Sequence, residues 1–247
     1  MEQVAWLKNK EGGVYFLTPA LKEFEKVYTS VRNKEGRMLS DAEVRALPIS
    51  KRLAKEWKKR TWTGQRFRAY AQKKPFSNIL EIGCGNGWFT NWLADEGRKV
   101  IGLDVGATEL QQAARCFQGN NLDFVCCSDW SLLPESYFDC IVFNGSLHYF
   151  QPDAVFWQQL YRMLKPQGEI HVLDTPFYTP TEAQEAWERS ANYFGKLGEN
   201  HAIHYYHQLR FDQLPSNHQV LYQPSRLLNK LFSARSPFHW IKIQAPA

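Results

Sequence analysis

The stretch Asn78–Ala94, NILEIGCGNGWFTNWLA, constrains the fold more than any other part of this chain. Asn78-Ile79-Leu80-Glu81-Ile82 is short, apolar and β-branched at two positions, the composition of a strand covered on both faces in a parallel sheet. Gly83, Gly85 and Gly87 then alternate, so the backbone can turn sharply and a ligand can come closer than any Cβ permits. Trp88 to Ala94 continues as an amphipathic helix whose free N-terminal amides point back at that ligand.

Two ligand classes fit a strand, a glycine turn and a helix. The dinucleotide fingerprint places glycines at the first, third and sixth positions, the last allowing close helix packing beneath a pyrophosphate. The sixth position here is Trp88, which argues against a nicotinamide oxidoreductase. The pattern E-x-G-x-G-x-G beginning at Glu81 resembles motif I of class I S-adenosylmethionine-dependent methyltransferases, whose ligand has a zwitterionic methionine end and no phosphate. The resemblance implies an α/β fold with a Rossmann-like, seven-stranded, doubly wound sheet. It also implies S-adenosyl-L-methionine as cofactor, held around Glu81, Gly83, Cys84, Gly85 and Gly87.

The chain downstream follows the same order of motifs. Lys99 to Leu103 reads as a second strand ending at Asp104, 23 residues beyond Glu81. In a βαβ unit an acid at that place faces the ribose of a nucleoside held over the first turn; the resemblance implies this role for Asp104, with Val105 beside it among the cofactor-binding residues, unless Asp104 merely caps the following helix, Ala107 to Phe117. Leu122 to Cys126 is the third strand. In the family a polar or acidic residue after it meets the adenine amine, a role matched by Asp129, while Trp130 either covers the adenine face or is a core ring under a loop. Tyr137 to Asn144 is the fourth strand, resembling motif IV. Open parallel sheets bind ligands outside the carboxyl ends of their strands, where strand order reverses, which gathers Gly83 to Gly87, Asp104, Asp129 and Asn144 to His148 around one crevice.

A methyl group on a sulfonium is an activated electrophile, so the protein has chiefly to align a nucleophile with it. A base helps if that nucleophile enters protonated, and His148, just past the fourth strand, is the candidate at an unperturbed pKa of about 6.5. The alternative is a histidine that packs or caps the turn. Methyltransferases acting on exocyclic amines of nucleic-acid bases carry Asn or Asp, two prolines and an aromatic ring at this site, whereas Asn144-Gly145-Ser146-Leu147 has neither proline nor ring. With a net charge of only +5, the expected partner is a small-molecule methyl acceptor and not nucleic acid. An RNA or protein methyltransferase and a non-catalytic nucleoside-binding relative are the rival readings; the second conflicts with the intact glycines and Asp104.

No run among the 247 residues approaches the roughly 20 apolar residues of a membrane span. The N-terminus, MEQVAWLKNKEGG, lacks the apolar core of a signal peptide, so a cytoplasmic location is expected. Five cysteines without a C-x-x-C pair read as reduced, mostly buried thiols, with neither disulfide nor zinc site. The aromatic content of 15%, with nine tryptophans, fits a substrate cavity walled by rings, although core packing accounts for most of them. Oligomeric state is not written in the sequence.

Residues 1–75 are expected to form a mainly helical extension and residues 76–247 the cofactor-binding domain. Val4 to Leu7 and Val14 to Leu17 flank a glycine-ended stretch and can pair as a hairpin. Thr18-Pro19 predicts the start of a helix running to about Arg32, and Ser40 with Glu43 a capping box for a short helix stopped by Pro48. Lys51 to Arg60 holds six basic residues in ten; Leu53, Ala54 and Trp57 at helical spacing make the charges the solvated face of an amphipathic helix, in preference to an RNA or lipid contact. These helices are expected to close over the crevice as a lid carrying Trp57, Trp62, Phe67 and Tyr70, or else to cover the sheet edge.

Towards the C-terminus, Pro152 to Leu164 reads as a helix stopped by Lys165-Pro166-Gln167-Gly168, and Glu169 to Asp174 as a fifth strand, a pattern that also resembles the family. Residues 180–197 predict another amphipathic helix, which in the family lies over the substrate. His201, His204 and His207 invite a metal reading, but on a helix the third has rotated away and no nearby Cys or acid completes a set, so no metal site is expected. The histidines, with Tyr205 and Tyr206, are expected to line the pocket or the sheet edge. His218 to Tyr222 and Phe238 to Ile243 would complete the sheet with an antiparallel pair.

Overall fold

A computed structural model describes residues 6–94 and 97–245. Among the described residues nine strands form one sheet: β1 (Lys10–Glu11), β2 (Val14–Phe16), β3 (Asn78–Ile82), β4 (Lys99–Asp104), β5 (Leu122–Cys126), β6 (Phe138–Asn144), β7 (Leu164–Thr175), β8 (His218–Tyr222) and β9 (His239–Gln244). Their order is β1-β2-β5-β4-β3-β6-β7-β9-β8. From β5 to β8 this is the expected seven-stranded doubly wound sheet, with β9 antiparallel to both its neighbours. The order reverses between β4, β3 and β6, all mutually parallel, and that reversal opens a crevice at their carboxyl ends.

Successive side chains of a strand face opposite ways, and the apolar strands feed two cores. Leu80, Ile82, Ile141 and Phe143 join one core, while Ile79, Cys140 and Val142 join the other. The first core is closed by α6 (Ala154–Met163), through Trp157, Leu160 and Met163. The second is closed by α3 (Ala54–Ala71), α4 (Trp88–Ala94) and α5 (Ala107–Cys116), through Phe67, Phe89, Leu93 and Leu110. The remaining helices are α1 (Lys22–Lys34), α2 (Asp41–Arg45), α7 (Pro180–Lys196) and α8 (Arg226–Leu231). The five cysteines are free thiols, four of them buried. No helix among the described residues is long and apolar enough to cross a membrane.

Several expectations are corrected. The hairpin exists, but its first arm is Lys10–Glu11; of the expected arm, Val4 and Ala5 lie outside the described residues and Leu7 is a buried core residue. Gly12 and Gly13, with φ of 56° and 87°, form the two-residue turn that the right-handed twist of a hairpin favours. Its second arm, β2, pairs in parallel with β5, so the segment before residue 76 contributes a strand to the main sheet. α1 begins at Lys22 with no side-chain cap, because Thr18 is used elsewhere: its Oγ1 accepts from the Ser128 amide at 2.9 Å. The Ser40–Glu43 capping box of α2 is present, and Leu53 is 39% exposed while Trp57 is buried. β7 runs from Leu164, through the segment read as a helix stop.

Candidate functional site

A cavity of about 1210 Å³ opens at the carboxyl ends of β3, β4, β6 and β7. α1, the first half of α3, α7 and the turn Asn200–Tyr205 close over it. Its floor is the first part of the glycine turn, Gly83 to Asn86; Gly87 does not line it, and a Cβ there would lie 2.5 Å from the Phe124 ring. Gly83, Gly85 and Gly87 have φ of 73°, 52° and 73°, a region L side chains seldom enter. A Cβ on Gly83 would lie 2.5 Å from Ser146 Cβ, so that position must also be bare for the β3 and β6 ends to meet. At Gly85 the obstacle is the cavity-lining Glu109 carboxylate, 2.9 Å away, so this glycine leaves backbone open towards the cavity. Cys84 is buried with its thiol packed over Gly102, and burial pushes that thiol up, leaving only its backbone to serve a ligand.

Two acids flank the turn. Glu81 is buried and accepts a 2.5 Å hydrogen bond from Thr90 Oγ1 of α4. Burial raises it to about 8, with Asp104 adding repulsion. Asp104 Oδ2 accepts from the Gly85 amide at 2.8 Å, and Oδ1 from the amides of Val105 at 2.7 Å and Gly106 at 3.1 Å. Burial pushes Asp104 up while these amides hold it down. It therefore ties the β3–α4 turn to the β4–α5 turn while lining the cavity. Val105 lines the cavity too, its carbonyl accepting from the Leu21 amide at the start of α1.

The other predicted residues divide. Trp130 lines the cavity and packs on Phe150 and Phe156, both at 5.4 Å, as a core ring under a loop does. Asn144 ends β6, buried, at the cavity wall. Asp129 is exposed, and its Oδ1 accepts from the amide and hydroxyl of Ser131, turning the carboxylate into its own loop; Ser128 and Trp130 form the wall there.

His148 requires a correction. It is buried at the cavity, its ring 4.3 Å from Tyr149 and 4.7 Å from Tyr206. Burial, then the nearby Arg60 and Arg32 cations, lower it to about 3. The unperturbed value assumed for a base does not apply, because the imidazole is neutral at neutral pH and holds a proton weakly. Its Nδ1 is buried with no hydrogen-bond partner among the described residues, which leaves it free to bond a ligand.

The lid is only partly as expected. Trp57 reaches the cavity, but Trp62 packs on Tyr222, Phe67 on Phe89 and His171, and Tyr70 donates to Glu169. α1 supplies what they do not: Phe24, Tyr28 and Arg32 line the cavity. Tyr205 and Tyr206 join them, whereas His201 and His204 are exposed. Arg37 pairs with Glu35 at 3.1 Å and Glu56 at 2.7 Å, and Glu56 with Arg60 at 3.2 Å, a ladder linking α1 to α3. Arg60, read as part of a solvated face, lines the cavity. Its place three residues after Trp57, hence on the same helix face, was the available signal.

Comparison with known proteins matches this arrangement. Residues 80–172 fit the sequence model of a family described as "Methyltransferase domain". That match runs from β3 into β7 and identifies this segment as a methyltransferase domain. It is 27% identical over 130 residues to a malonyl-[acyl-carrier protein] O-methyltransferase of Erwinia billingiae, covering 51% of this chain and 49% of that protein. It is 33% identical over 119 residues to the biotin biosynthesis bifunctional protein BioHC of Cellvibrio japonicus, covering 47% and 23%. The chain thus spans half or less of these two relatives. Among solved structures, the CurJ carbon methyltransferase aligns with a TM-score of 0.55 at 17% identity over 92% of this chain and 66% of that one, a likeness of fold.

Proposed function

We propose that this chain transfers a methyl group from S-adenosylmethionine to a small acceptor, free or borne on a carrier. The observation that carries this reading is the shared cavity of the bare Gly85 backbone and the Asp104 carboxylate, at the switch point of the sheet. The residues fit the cofactor. The backbone from Gly83 to Asn86 would cradle it, with Gly87 turning the chain behind, Asp104 would meet the ribose hydroxyls, and Trp130 would cover the adenine. Glu81, Cys84 through its backbone, Val105 and Asn144 complete the wall, with Asp129 at its outer edge. When bound, S-adenosylmethionine supplies an activated methyl electrophile. The protein's part is then to exclude water and orient the acceptor, for which proximity alone can contribute about 7–11 kcal/mol.

Pockets for a single drug-sized ligand usually span about 300–1,000 Å³, so a cavity of about 1210 Å³ has room for a cofactor and a second molecule. His148, Tyr28, Tyr149 and Tyr206 line the same cavity and would offer that second molecule hydrogen-bonding groups among rings. The malonyl-carrier relative makes a carrier-borne acyl group one acceptor of suitable size. Asn144-Gly145-Ser146-Leu147, without prolines or ring, speaks against a nucleic-acid base.

Calorimetry tests the reading. Micromolar binding of S-adenosylmethionine and S-adenosylhomocysteine is expected; heat with NAD and none with either compound would end it. Asp104→Ala should weaken both by about 1.5–3 kcal/mol. The same change should lower the melting temperature, since it strands the amides of Gly85, Val105 and Gly106.

A further inference from the structure

β7 enters the cavity at Asp174, whose φ of 47° lies in the left-handed region. Backbone of this kind persists where the surroundings over-determine it, and it concentrates at functional sites. The carboxyl is held by one oxygen only. Oδ1 accepts from Thr63 Oγ1 of α3 at 2.8 Å and from Ser236 Oγ at 3.0 Å, whereas Oδ2 is buried with no hydrogen-bond partner among the described residues. An unmet buried acceptor is a cost to the fold.

Asp174 lines the cavity together with Gly145 and Arg60. Gly145, φ 68°, follows Asn144 at the end of β6, and its amide bonds the Leu173 carbonyl at 2.9 Å. A Cβ there would lie 3.9 Å from both Asp174 Cβ and an Arg60 terminal nitrogen. A side chain at residue 145 would therefore lie against Asp174, whose carbonyl oxygen is 3.5 Å from that Cβ, and against Arg60. Burial pushes the Asp174 carboxyl up, Arg60 pulls it down, and Glu56 on the same helix pushes it up again. Burial and the Arg60 and Arg32 cations weaken the pull of the neutral His148 ring on a proton.

We propose that Asp174 is a catalytic residue of this site, its Oδ2 accepting the proton of a neutral N–H or O–H nucleophile on the acceptor. The assignment rests on the methyltransferase reading above. The nucleophile's lone pair forms the bond to the methyl carbon, and the electron pair of the broken carbon–sulfur bond stays on sulfur. The nucleophile then has one proton in excess; this passes to Oδ2, and the carboxylate becomes a carboxylic acid. Thr63 and Ser236 hold Oδ1 throughout, so the receiving oxygen keeps its aim.

The test uses the full chain and its Asp174→Asn variant, which keeps an oxygen for Thr63 and Ser236 but cannot take the proton. S-adenosylhomocysteine binding, melting temperature and transfer of label from methyl-labelled S-adenosylmethionine into small-molecule and acyl-carrier extracts are measured across the pH range. The variant is expected to bind S-adenosylhomocysteine like the parent and to melt at the same or a higher temperature. Label transfer should fall by about 10²–10⁴-fold, and the parent's decline towards acid pH should be absent from what remains. Parental transfer with a parental pH profile overturns the assignment, as does a lower melting temperature with transfer intact. A parent that binds S-adenosylhomocysteine but labels nothing overturns it too, whereas a parent that does not bind it overturns the methyltransferase reading.

Discussion

An imidazole stripped of water and set near two guanidiniums gives up its proton readily, so His148 stands in the site as a neutral ring. The consequence is measurable in the fold. In the unfolded chain a histidine ionises at about 6.5, whereas in the folded chain His148 does so at about 3. A depressed folded value means that its contribution to stability is fully present above about 6.5 and is lost as pH falls towards 3. His148→Gln should therefore flatten the fall in melting temperature between those limits. If parent and variant lose stability in parallel on acidification, the imidazole is hydrated and the case for a base reopens. Sequence gave the position of His148 but not its charge state, because Arg32 and Arg60 reach it from helices more than 80 residues upstream.

At the scale of elements, β3, β4 and β5 were legible because two-sided burial and the glycine turn are local signals. β3, α4 and β5 occupy the residues their patterns indicate, and β4 extends one residue further, to Asp104 itself. The pairing of β2 with β5 was not legible, since no local pattern encodes a contact over a hundred residues. Nor was the junction of α3 with β7. There Glu169 accepts from Tyr70 Oη at 2.7 Å, Lys74 Nζ at 2.8 Å and His171 Nε2 at 3.0 Å, and Trp240 Nε1 donates to His171 Nδ1 at 3.0 Å. The last bond fixes the tautomer, leaving Nε2–H to serve Glu169. Burial alone would raise the Glu169 carboxyl, but the bonds from His171, Lys74 and Tyr70 bring it to about 2. Its stabilising effect is thus present above the unfolded value of about 4.5 and disappears as pH falls towards 2. Glu169→Gln should cost about 1–3 kcal/mol at neutral pH, discounted because Lys74 is partly in solvent, and the difference should vanish in acid. Equal losses at neutral and acid pH would show that packing, not charge, holds α3 to the sheet.

Across the whole molecule, the cavity is closed by parts of the chain far apart in sequence, and this decides how a ligand gets in. Phe24 of α1 packs on Tyr149 at 5.9 Å and on Tyr205 at 5.4 Å, so α1 meets both the floor and the Asn200–Tyr205 turn. The outer end of α1 is latched: Lys34 Nζ and Ser30 Oγ each donate to Glu199 at 2.5 Å, and Lys34 Nζ also donates to the Leu197 carbonyl at 2.8 Å. Removing residues 1–60 cannot test this cover cleanly, because it would also strip β2 from the sheet and Val14, Val44 and Trp57 from a core. The latch can be cut alone. Glu199→Ala takes away the acceptor shared by Lys34 and Ser30, in a partly exposed pair whose loss should change global stability little. If α1 must swing aside for exchange, S-adenosylhomocysteine should leave the variant faster in stopped-flow tryptophan fluorescence. Amide hydrogen exchange over residues 22–34 should rise at the same time, with β3 and β6 unchanged. An off-rate and an exchange pattern identical to those of the parent would make α1 a fixed wall and move the entrance to the α7 side of the cavity.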